Sequence, residues 1–195
     1  MKKLFLTASL AASMVLPSVA HAQAIPAAVV AVVDLDKVTN ECNACKTAAA
    51  ALRSQATALQ TRQKSLAAPL ETEQKSIQAA IDALNGKEPD ATLQSRVRAF
   101  QAKQAQAEQE LVTQQEQLQR NSQYVRKQIG DKLGPIYTQV MQKRGANMLV
   151  EIGQTLASGA TLDVSNDVLT ALNAALPSIA TTAPAPARQT QPQGR

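Results

Sequence analysis

The chain has 195 residues, 45% hydrophobic but only 2% aromatic, with no Trp and a formal charge of +5 at pH 7. Two Phe and two Tyr beside abundant Ala, Gln, Lys and Leu favour long helices over a thick globular core. The charge excess is small and spread out, which argues against a nucleic-acid binder.

Lys2 and Lys3, the apolar run Leu4 to Leu16 and the small-x-small end Ala20-His21-Ala22 predict a cleavable secretory signal over residues 1–22. Cleavage after Ala22, or after Ala24, is expected. Met1 to Leu16 is too short for a membrane anchor, which takes about 20 apolar residues, and no later stretch could span either. A protein that is not membrane-spanning, exported to a bacterial periplasm, is therefore expected. Loss of the signal removes Lys2, Lys3 and the single histidine, His21, leaving +3 from 18 Lys/Arg and 15 Asp/Glu. The remaining chain then lacks the usual general base and metal ligand. "GKEPD" lacks the flanks of a phosphate loop. The expectation is no enzyme, no catalytic residue, no metal and no cofactor.

"AVVAVVDL", Ala28 to Leu35, reads as a strand. Asp34 and Asp36 behind it are more simply helix caps than a metal or acid–base pair. Residues 41–143 are helix-compatible throughout, interrupted only by "NGKEPD", Asn85 to Asp90. "MLVEIG" supplies a second strand. "LDVSNDVLTALNAAL" predicts a short third strand at Leu162 to Val164, an N-cap at Ser165 and an amphipathic helix. The Pro-, Ala-, Gln- and Thr-rich residues 177–195 predict a disordered tail.

The helical region carries two apolar stripes of mean period 3.5, the spacing of a coiled-coil seam. The first holds Leu52, Leu59, Leu66, Leu70, Ile77 and Leu84, with Gln63 and Glu73 as polar steps. The second holds Leu93, Val97, Phe100, Ala107, Leu111, Leu118 and Val125, with Gln104, Gln114 and Asn121 as polar steps. The stripes mirror each other. Leu52 with Val125, Leu59 with Leu118, Leu66 with Leu111, Leu70 with Ala107, Ile77 with Phe100 and Leu84 with Leu93 each add to 177. This register predicts an antiparallel hairpin with its tip at residues 85–90 and an arm of roughly 50 Å at ~1.5 Å per residue.

Pro69 lies inside the outgoing helix, and Gly130, Gly134 and Pro135 lie near the base of the returning one. Each is either a tolerated irregularity or a flexing point. The strands can meet only if the hairpin returns its ends, giving an α+β fold. Its small β-sheet head comes from residues 23–40 and 144–176, and a long coiled-coil arm from 41–143. So small a sheet needs help to be stable, and oligomerisation through the head is the natural remedy.

"VVAVVDLDKV", a helical hairpin, and then "GANMLVEIG" with "LDVSNDVLTALN" resemble the Skp/OmpH family of periplasmic chaperones over about Val29 to Leu176. The closing segment carries Asp163, Val164, Ser165, Val168 and Leu169 at the family's positions. The resemblance implies a jellyfish-like homotrimer whose arms enclose unfolded outer-membrane β-barrel proteins without ATP. Such arms tend to be basic. Lys46 to Lys132 here has 13 Lys/Arg against 9 Asp/Glu, with Lys87, Arg96 and Arg98 near the tip, although a solvated surface explains each of these alone. A structural or adaptor coiled coil of the periplasm is the alternative from another class.

Cys42 and Cys45, the only cysteines, form a C-x-x-C pair. In an oxidising compartment a local disulfide is the simplest reading. A thiol oxidoreductase or part of a zinc site are the others. The mirror register sets Cys42 level with Pro135 and Cys45 level with Lys132. A clip across consecutive turns of one helix is expected there, stiffening the shoulder opposite a break at Gly134-Pro135.

Overall fold

A computed structural model describes residues 25–185. The predicted signal segment, residues 1–22, lies outside the described residues, as do residues 186–195 of the tail.

Strand β1 (Val30–Val33) pairs in parallel with β2 (Met148–Glu151), Val30 opposite Met148 and Val33 opposite Glu151. Between them in sequence come three helices, α1 (Leu35–Glu41), α2 (Asn43–Asp82) and α3 (Ala91–Arg144), joined by short connections. The chain closes with α4 (Ser165–Ala175). The fold is therefore mostly helical with a small two-stranded sheet.

Asn147 fastens the ends of the hairpin together. Its side chain accepts the Val29 N–H at 2.7 Å and donates to the Ala27 carbonyl at 2.8 Å. Just before it, Gly145 adopts φ 68°, and the Ala146 N–H reaches back to the Met141 carbonyl while the Gly145 N–H reaches Gln142. This Schellman closure ends α3 and turns the chain into β2. At the far end Asn85 (φ 48°) and Gly86 (φ 83°) make the tip, and the Asp90 carboxylate caps α3 by accepting the Leu93 N–H at 2.7 Å.

The third strand expected at Leu162 to Val164 is reduced to one bridge, Val32 with Asp163, supported by the Val164 N–H donating to the Val32 carbonyl at 2.9 Å. Asp163 ends the strand at once because its carboxylate takes the N–H and hydroxyl of Ser165. Ser165 is consequently not the N-cap of α4 but its first residue. Its hydroxyl is committed to Asp163 and to the Asp34 N–H, and the N-cap position falls to Val164, which makes no capping bond. Asp34 does cap α1, accepting the Lys37 N–H at 2.7 Å.

The core lies where α1, the base of α2, the end of α3 and α4 converge under β1. Val38, Cys42, Val168 and Leu172 are fully buried there, joined by Ala31, Val33, Leu133, Ile136 and Val140. Arg144 and Lys143 pair with Asp167, and the Asn173 side chain accepts the Asn43 N–H at the start of α2. These contacts explain why α3 runs unbroken through Gly130, Gly134 and Pro135, against the expected break. Leu133, Ile136 and Val140 bury on both sides of the proline and hold the helix through the lost backbone bond. Neither Gly130 nor Gly134 faces a neighbour within 4 Å of where a Cβ would stand.

Of the expected disordered tail, residues 177–185 are described and lie against the arm. Ile179 packs on the core, and burial alternates: Ile179, Thr181 and Ala183 are half-buried, while Ala180, Thr182 and Pro184 are exposed. That is the period of extended chain on a surface.

Candidate functional site

The arm dominates the molecule. With 40 residues, α2 spans roughly 60 Å at ~1.5 Å per residue. Helices α2 and α3 pack antiparallel, with Glu73 receiving Lys103 at 2.7 Å and the Asn121 amide donating to Gln55 at 2.8 Å. Arg62 clasps Glu110 with two bonds of 2.6 and 2.9 Å, and the hydrogen bonds and charge of that guanidinium hold the Glu110 carboxyl below the usual range.

The twelve residues Leu52, Leu59, Leu66, Leu70, Ile77, Leu84, Leu93, Val97, Phe100, Leu111, Leu118 and Val125 all lie at buried or half-buried positions. Only Ile77, Phe100 and Val125 among them are closed off, together with Ala107 and Asn121. Gln63 faces solvent. Between Ala48 and Ile77 no residue of α2 is fully buried, so Leu52, Leu59, Leu66 and Leu70 form a partly open apolar row. At mid-arm the row widens into a notch of about 340 Å³ floored by Leu66, Pro69, Leu70 and Ala107, with the two ion pairs on its rim. Helix α2 continues through Pro69, which deprives the Ser65 carbonyl of its usual donor.

Cys42 and Cys45 are joined in a disulfide with Cα atoms 5.1 Å apart. The pair does not bridge consecutive turns of one helix. Cys42 stands at the corner between α1 and α2, ending the first and capping the second, its Sγ accepting the Cys45 N–H at 3.3 Å. Exposure is 0% for Cys42 and 6% for Cys45, without the access that a reactive thiol needs. Among the described residues no group of His, Cys, Asp and Glu could hold a metal ion. No described helix is long and apolar enough to cross a membrane.

Three carboxamides at the base of the arm went unnoticed as a group in the sequence. Gln128 donates to the Ala180 carbonyl at 2.9 Å and accepts the Ala180 N–H at 3.0 Å. Gln55 donates to the Thr181 carbonyl at 3.1 Å, and Asn121 accepts the Ala183 N–H at 2.8 Å. Asn121 and Gln128 are seven apart on α3, which places them on one face two turns apart, the only hint the sequence offered.

A long two-helix arm on this small head has a counterpart among known proteins. The sequence profile of the family described as outer membrane protein (OmpH-like) matches residues 29–172. The chain belongs to the OmpH-like family. The fold of this OmpH-like chain is similar to the crystal structure of a candidate outer membrane chaperone (OmpH-like) from Caulobacter crescentus CB15. The TM-score is 0.65 at 16% identity, covering 80% of this chain and 90% of that one. No curated protein matches the sequence.

Proposed function

We propose that this OmpH-like protein is an ATP-independent periplasmic holdase that shelters unfolded outer-membrane β-barrel proteins against its arms. The observation that carries the reading is the open row Leu52, Leu59, Leu66 and Leu70, which a closed helical core would have covered. Apolar side chains half-shielded by a single partner helix offer many weak contacts and no deep pocket, which suits varied clients held briefly. The kinship with a candidate outer membrane chaperone points the same way.

The working form is a homotrimer. Among the described residues of the single chain no strand pairs with the outer edge of β2, and Met148, Leu156 and Leu162 stand exposed at 48%, 108% and 40%. An unpaired edge beside exposed apolar side chains favours self-association. The disulfide at the α1–α2 corner serves as a stiffener of the shoulder, and Pro69, inside α2, as a site of bending in the arm.

The test is native mass spectrometry of the purified protein with and without a urea-denatured outer-membrane barrel, alongside light scattering of the diluted barrel. A trimer that forms a soluble complex and suppresses scattering is expected. A protein that leaves scattering unchanged for several unrelated barrels overturns the reading.

A further inference from the structure

The hydrogen bonds at the base of the arm read the backbone of the tail. One carboxamide, Gln128, satisfies both the donor and the acceptor of Ala180, as a neighbouring β-strand would. Gln55 and Asn121 continue along the same segment at Thr181 and Ala183. The spacing is commensurate. The three extended steps from Ala180 to Ala183 cover about 10 Å, and the seven helical steps from Gln128 to Asn121 cover about the same. Asn121 is only 5% exposed and is held by Gln55 and Gln117, so the row is preset.

We infer that Gln55, Asn121 and Gln128 form a binding site for extended polypeptide, and that residues 177–185 are its resident occupant, displaced when an unfolded client segment enters. The inference rests on the holdase reading and specifies part of it. Any residue with a free N–H satisfies such a row, and proline is rejected where Ala180 and Ala183 sit. Inward positions alternate and hold Ile179, Thr181 and Ala183, so the site suits segments of period two with small or modest side chains. Unfolded membrane β-strands have that period. The bonds to Ala180 lie exposed to water, where competition weakens them, so the tail can be exchanged.

The test follows amide hydrogen exchange in the full chain. In the free protein the Ala180 and Ala183 amides are protected, and saturation with a denatured outer-membrane barrel makes both exchange about tenfold faster or more. In a second arm, Ala180→Pro with Ala183→Pro removes the two tail donors and leaves the groove intact. Client affinity then rises severalfold, and adding Gln128→Leu reverses the gain. A client that binds while both amides stay protected, or with affinity unaltered by the proline pair, overturns the inference and leaves the holdase reading standing. A full chain that binds no barrel overturns both.

Discussion

The hydroxyl of Ser165 accepts the backbone N–H of Asp34 at 2.8 Å, across 131 residues of sequence. The same hydroxyl donates to Asp163, and Ser165 is 0% exposed. One side chain therefore joins the end of β1, the residual third strand and the start of α4. Ser165→Ala leaves the Asp34 N–H and the Asp163 carboxylate short of a partner, and a loss of ~1–3 kcal/mol is expected. Urea unfolding of both proteins measures it, and a loss within error of zero would show the junction to be incidental.

Acid should act through the same junction. The Ser165 hydroxyl and N–H, ahead of the charge of Lys37, hold the Asp163 carboxyl below its ordinary value. A carboxylate lowered on folding contributes stability that is complete above the unfolded value, about 3.9, and is lost as pH falls through the lowered folded one. The advantage of wild type over Asp163→Asn should thus be constant from neutral pH down to that range and shrink below it. Paired denaturation midpoints across pH test this, and an advantage that grows in acid contradicts it.

Reduction of Cys42–Cys45 should be felt at the shoulder. Releasing so short a loop costs about 2 kcal/mol in the chain-entropy treatment. Because Cys42 links α1 to α2, the loss should fall on amides near the corner and spare those near Phe100. Exchange with and without reductant would expose the opposite pattern, or no change.

Gly130 and Gly134 divide the two readings of the returning helix. With open space at both, Gly130→Ala and Gly134→Ala should each stabilise α3 by roughly 0.5–1 kcal/mol. If bending there serves client exchange, the double variant also releases a bound barrel more slowly. Greater stability with unchanged release would leave the glycines as tolerated irregularities.

The arm was legible in advance because a seam of period 3.5 is written in side-chain polarity. The bonds of Glu73 with Lys103 and of Gln55 with Asn121 fall within one residue of the level that helices of fixed rise predict. The corner at Cys42 was not legible, since α1 and α2 are both helical and only Cys42 (φ −57°, ψ 126°) leaves the helical region. The collapse of the third strand turned on the Asp163 carboxylate choosing Ser165, a competition between local bonds that composition does not rank. The tail was missed for a different reason. Its hydrogen bonds come from Gln55, Asn121 and Gln128, which read backbone and leave no trace in the sequence of Ile179 to Ala183.

The parallel register of Val30 with Met148 makes the sheet depend on the arm. A strand that waits for a partner 118 residues later cannot pair until the whole hairpin has been delivered and folded back. The returning arm is what brings the two strands together, so the hairpin carries the loop-closure cost on behalf of the sheet. A variant whose arm cannot return its ends should therefore leave β1 without its partner, although no residue of the head has changed.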